Sequence, residues 1–165
     1  MNIFLIAAIT ADGFIGKHSL HGSDWTSHED KKLFVKLTKQ AGVMVMGSRT
    51  FATIGRPLPG RRTIVLTSHP DTLLVEGVEP TDDMPEELVT RLEREGVHSL
   101  AVCGGASVYD QFMRAGLVQE LYLTIEPLLF GSGVPLFANE LDVKLELLDT
   151  EQLNKNSILL HYKVV

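Results

Sequence analysis

The first strand limits how this chain can fold more than any other stretch. Residues 2–10, NIFLIAAIT, form a near-continuous apolar run with no alternation that would leave one face to water. Such a run reads as a strand buried on both faces, as in a mostly parallel sheet covered by helices on either side. It is far too short to span a bilayer and lacks a basic leader, so neither a membrane span nor a secretion signal is expected.

The rest of the chain alternates between strand and helix patterns. Residues 27–40 have helical periodicity and stop before Gly42, and residues 43–46 read as a short buried strand. A short helix at 48–54 is ended by Gly55 and Pro57, and a strand follows at 63–67. Residues 69–84 read as loop around a weak strand at 73–75. A helix is expected at 85–95 with Pro85 in its first turn, a strand at 99–103, a helix at 107–115 and a strand at 120–125. Stretches 143–149 and 157–165 flank Asn154-Lys155-Asn156 and read as an antiparallel hairpin. The predicted fold is therefore α/β. It is doubly wound, with a mostly parallel sheet, helices on both faces and an antiparallel C-terminal hairpin, in one domain covering 1–165.

Composition narrows the function. A formal charge of −6 argues against nucleic acid as a main partner, since phosphate neutralisation needs a basic face. One cysteine excludes an intramolecular disulfide and fits a reducing cytoplasm. The expected assembly is a monomer acting on a small molecule.

A parallel sheet binds ligands beyond the carboxyl ends of its strands. Asp12/Gly13, 47–50, Thr67/Ser68 and 104–107 all fall at such ends. Asp30 opens a stripe with Leu33, Phe34, Leu37 and Ala41, which puts a carboxylate where a core side chain is expected. Two readings compete. Ser27-His28-Glu29-Asp30 fits a capping box that would engage the acid, whereas an overlapping Thr26-x-x-Glu29 box would leave Asp30 free to grip a flat heterocycle through charge-assisted bonds.

Gly47-Ser48-Arg49-Thr50 and Gly104-Gly105-Ala106-Ser107 each follow a buried strand and open a helix, a setting that suits phosphate. Neither is a GxGxxG fingerprint. Arg61 and Arg62 follow the rigid turn Pro57-Leu58-Pro59-Gly60, from which a guanidinium can clamp a carboxylate. His18, His21 and His28 lack patterned cysteine or carboxylate partners, so no metal site is expected. Cys103 reads as a packed small hydrophobe rather than a nucleophile.

Together, WTSHEDKKLF (25–34), MGSRTFATIGRPLPGRR (46–62), CGGASVYDQF (103–112), LYLT (121–124) and IAAITADGFIG (6–16) closely resemble dihydrofolate reductases, in family order. The resemblance implies that Asp30 binds the pterin 2-amino group and N3, supported by Thr124. Phe34 and Ile54 would pack on the rings, Arg61 would hold the glutamate carboxylate, and Ala8 and Cys103 would offer carbonyls. For NADPH it implies Ile15 and Gly16 on the nicotinamide side, with Thr50, Gly104, Gly105 and Tyr109 at the ribose and pyrophosphate. Gly47, Ala106, Ser107 and Val108 would complete that cradle, and Arg49, Thr67 and Ser68 would lie near the 2′-phosphate. The implied reaction reduces 7,8-dihydrofolate to tetrahydrofolate, by hydride transfer to C6 and protonation of N5.

Several positions depart from the family pattern. Lys31 stands where the family is usually apolar, loop 17–24 is longer than usual, and Asp24 replaces a proline. Ser48 and Ser107 stand where basic residues often occur. Residues 126–137, EPLLFGSGVPLF, look more like the pyrimidine reductase domain of riboflavin synthesis. Two alternatives therefore stand beside the folate reading: reduction of 5-amino-6-(5-phosphoribosylamino)uracil, and a non-catalytic NADPH-binding module.

Overall fold

In the computed structural model, which describes residues 1–165, the central strand is β1 (Asn2–Thr10). Its side chains alternate between two cores. Ile3, Leu5 and Ala7 enter one, and Phe4 and Ile6 enter the other. This two-sided burial explains why the run lacks polar alternation.

Seven further strands complete the main sheet: β3 (Val43–Gly47), β4 (Arg62–Leu66), β5 (Val78–Thr81), β6 (Ser99–Val102), β7 (Glu120–Glu126), β9 (Leu145–Gln152) and β10 (Ile158–Val164). Their order is β5-β4-β3-β6-β1-β7-β10-β9. Every pairing from β5 to β7 is parallel, whereas β10 runs antiparallel to both neighbours. Helices α3 (Pro85–Arg94) and α4 (Ala106–Arg114) cover the larger core through Leu88, Leu92, Val108 and Phe112. Helices α1 (His28–Ala41) and α2 (Ser48–Ile54) cover the other through Phe34, Leu37, Phe51 and Ile54. The α/β, doubly wound architecture with its antiparallel C-terminal hairpin is as the sequence predicts. No helix is long and apolar enough to cross a membrane.

Two local expectations are corrected. The strand placed at 73–75 is absent: Pro70–Thr72 forms a 3-10 turn, and the edge strand is β5, three residues later. Leu73 and Val75 only pack beneath the sheet from a loop, while Pro80 sits within β5 because an edge strand needs donors on one side only. The loop after Thr10 also contains β2 (Phe14–Gly16), paired with β8 (Val134–Pro135) in a separate two-stranded ladder. Asp12 anchors it by accepting from Thr10 Oγ1 at 2.6 Å and from Gly131 N at 2.7 Å.

The ligand cleft arises where a ladder ends. β1 and β6 pair only as far as Leu5↔Val102, while β1 follows β7 to Thr10. Past that divergence the Ile6 carbonyl accepts from the Tyr109 hydroxyl at 2.7 Å instead of from a strand. The opening lies at the carboxyl edge of the sheet, where such folds place ligands.

Candidate active site

The cleft has a volume of about 1110 Å³ and runs across the carboxyl ends of β1, β3, β4 and β6. At one end α1 presents Asp30, Lys31, Phe34 and Val35. Asp30 is only 8% exposed. Burial pushes its carboxyl above the usual carboxylate range; hydrogen bonding from Thr124 and the charge of Lys31 oppose this, and the Glu126 carboxylate reinforces it.

The answer to the capping question takes a part from each sequence reading and adds a group that neither contains. Ser27 is the N-cap and accepts from the Asp30 backbone N–H at 3.2 Å. Thr26 is no cap; its hydroxyl donates to the Ser23 carbonyl. The reciprocal half of the box is made by Glu126, on β7, whose Oε1 accepts from Ser27 N at 3.0 Å and from Ser27 Oγ at 2.7 Å. The Asp30 carboxylate is thereby left without a capping duty. No local pattern links residues 27 and 126, so only the proximity of an acid to the Thr124 block hinted at it.

Thr124 lies behind Asp30, 1% exposed, and does not line the cleft. Lys31 turns its ammonium back to the Thr26 carbonyl at 2.9 Å. Arg61 and Arg62 have different surroundings. Arg62 is engaged by Glu79 and Glu95, within a network that also includes Arg91. Arg61 lines the cleft, donating from Nε to the Pro59 carbonyl and from Nη1 to Thr38 Oγ1 at 2.8 Å, while its Nη2 has no partner in the chain. Thr38, fully buried and absent from the sequence reading, donates its own hydroxyl hydrogen bond to the Phe34 carbonyl and so fixes the guanidinium against α1. Its signal was a polar residue four positions after Phe34 on the buried stripe.

Ala8, Ile54 and Cys103 line the cleft beside Phe34. Burial raises the Cys103 thiol above its usual range, which leaves it a poor nucleophile. The predicted cofactor set Ile15, Gly16, Gly47, Arg49, Thr50, Thr67, Ser68, Gly104, Gly105, Ala106, Ser107, Val108 and Tyr109 all lines the same opening. Helix α4 has Gly105 as its N-cap and so no side-chain cap, which leaves its first amides available at the cleft. A Cβ at Gly105 would press on Thr50 Oγ1 at 3.2 Å, and one at Gly104 (φ +105°) would meet the Tyr109 hydroxyl at 3.0 Å. A backbone this bare, next to the Thr50 hydroxyl and the Arg49 cation, fits a pyrophosphate.

Loop 17–24 roofs the other side of the cleft. His21 Nδ1 accepts the Lys17 amide at 3.0 Å, and Phe130 packs against both His21 and Trp25. Trp25 Nε1 is buried and has no partner within the chain.

Known proteins share this fold. The family model described as dihydrofolate reductase matches residues 2–131. Dihydrofolate reductase type 3 of Salmonella typhimurium is 38% identical over 126 residues, covering 75% of this chain and 71% of that one. The dihydrofolate reductase of Enterococcus faecalis, solved in complex with NADP(H), superposes with a TM-score of 0.80 at 29% identity, over 99% of this chain and 96% of that one. A pyrimidine reductase-like protein of Corynebacterium diphtheriae shares the fold, with a TM-score of 0.81 at 20% identity over 99% and 92% of the chains. With most of its length matched by the family model, the chain belongs to the dihydrofolate reductase family.

Proposed function

We propose that this protein is an NADPH-dependent dihydrofolate reductase. The observation that carries the reading is the Asp30 carboxylate, nearly buried and released from capping, facing the same cleft as the partnerless Arg61 Nη2. A pterin edge with two adjacent N–H donors matches the first group, and a glutamate carboxylate matches the second. Gly104 and Gly105 would hold NADPH, which when bound would supply a hydride for pterin C6. Arg49, Thr67 and Ser68 are the groups that favour its 2′-phosphate.

The chain's own residues do the rest. Asp30 orients the ring and, as an anion in a half-dry crevice, favours the protonated and more electrophilic pterin. It binds the ring edge away from N5, so the proton reaches N5 through water. Phe34 and Ile54 exclude water from the ring faces, and Thr124 holds the Asp30 carboxylate from behind.

A second reading keeps the fold and NADPH but takes the phosphoribosylaminouracil of riboflavin synthesis as substrate; the likeness of fold to the pyrimidine reductase-like protein favours including it. Arg61 separates the two, since a compact ribose phosphate has no glutamate for it to hold. The test is NADPH oxidation by the purified protein with each substrate, repeated with Arg61→Leu. The folate reading expects turnover with dihydrofolate. It also expects Arg61→Leu to raise KM for the glutamylated substrate about 10–100-fold, the scale of one charged hydrogen-bonded contact, with little change for a tail-less pterin. Turnover of the pyrimidine alone would replace it with the second reading.

A further inference from the structure

We propose that Glu126 is a positioning residue for Asp30, capping α1 from β7 so that the Asp30 carboxylate stays free and faces the cleft. The inference rests on reading Asp30 as the ring-binding group.

Glu126 is 2% exposed and has no cation on it. Three neutral donors hold its carboxylate instead: Ser27 N and Ser27 Oγ on Oε1, and Ser157 Oγ on Oε2 at 2.8 Å. An anion buried on hydroxyls and an amide is an expensive way to tie a helix to a sheet, and an apolar residue would pack there at lower cost. Its placement does two things that an apolar side chain would not.

The first is geometric. The Ser27 hydroxyl has one hydrogen to donate, and Glu126 accepts that hydrogen bond. The oxygen lone pairs are then left to accept the Asp30 amide, which fixes the first turn of α1. Ser157 sits just after the hairpin turn, whose Asn154 also donates to Glu29 in that first turn at 3.1 Å. The tip of the β9–β10 hairpin and the end of β7 thus latch the segment carrying Asp30 from two sides.

The second is electrostatic. The charged and titratable groups that face Asp30 are Glu126 from β7, Lys31 from its own helix and Tyr109 from α4. Glu126 is the one anion acting on Asp30, and it favours the protonated acid. Removing that charge while keeping the hydrogen-bond frame should make Asp30 easier to ionise.

Glu126→Gln does this, because the amide oxygen can still accept from Ser27 and the Ser157 hydroxyl can turn to accept from the amide nitrogen. The readout is the carboxyl 13C titration of Asp30 in the full chain, with the pH profile of kcat/KM alongside. The expected result is a fall of about half a pH unit or more in the Asp30 midpoint, with the same displacement of the acidic limb of kcat/KM. NADPH affinity, measured by fluorescence quenching, should stay within about twofold. A midpoint unmoved in Glu126→Gln overturns the electrostatic part; a Glu126→Leu variant, which cannot accept from Ser27, with wild-type kcat/KM for dihydrofolate overturns the positioning, and so does a shift that comes with loss of NADPH binding. Asp30→Asn run in parallel separates the two ideas: if that variant is fully active, the ring-binding reading fails whatever Glu126 does. If it is inactive and the Gln variant titrates as wild type, only the role of Glu126 fails.

Discussion

Asp30 occupies a position that stability alone would not choose. Its carboxyl is held above the usual range chiefly by burial, so its ionised form is less favourable folded than unfolded. The sign follows from linkage. A carboxylate whose folded pKa is raised takes up protons more readily in the native state, and stability falls as pH rises from the unfolded toward the folded value. Above that window the full cost persists, and below it the cost vanishes. Asp30→Asn should therefore melt at a higher temperature than wild type at pH 7, with the gain disappearing as pH falls below about 4. Thermal unfolding at the two pH values checks this, and a lower Tm for Asn at pH 7 contradicts it. The acid is retained against that cost, as expected of a group selected for chemistry.

At the scale of elements, the pairing of β2 with β8 holds the strand end that carries Ile15 and Gly16 to the segment 130–135. Gly133 is the residue that permits it: its φ is +147°, and a Cβ there would collide with the Gly16 carbonyl oxygen. Gly133→Ala should cost about 1–3 kcal/mol of backbone strain, before any clash, and lower Tm by several degrees. Because Gly16 and Ile15 line the cleft at the proposed NADPH site, KM for NADPH should rise as well. A variant with unchanged melting and kinetics would show that the ladder is dispensable. This ladder also marks the reach of sequence reading. α2 was legible to the residue, because Gly55 and the preceding apolar strand are local signals. β2–β8 was not, because its partners are separated by about 120 residues and neither strand alone has a period. A comparably long separation hid Glu126, whereas the two glycine turns show a strand-to-helix setting from their own neighbours, and Arg61 was told apart from Arg62 only through the family resemblance. β5 was misplaced because Leu73, Leu74 and Val75 look more strand-like than a segment containing Pro80, and an edge position reverses that preference.

For the molecule as a whole, the cleft depends on the sheet order: β6 inserts between β1 and β3, then leaves β1 early, and both helix layers converge on the gap. Nearly every predicted ligand-contacting residue lines that single opening, although the residues come from five strands' ends and three helices. Ligand should thus stabilise the fold as a unit. NADPH at 100 times its Kd would add about 2.7 kcal/mol, or roughly 5–10 °C in Tm for a chain of this size, and NADH should add less at equal concentration. A thermal-shift titration with both dinucleotides reads this directly, and equal shifts would remove the role assigned to Arg49, Thr67 and Ser68.

The most direct measurement of the central claim is the pH dependence of dihydrofolate reduction by Asp30→Asn. A preorganised charge of this kind contributes about 3 kcal/mol to the barrier, so kcat/KM at pH 7 should fall on the order of 100-fold, and part of the loss should return in acid, where the substrate arrives already protonated. A rate at pH 7 equal to wild type would contradict the account.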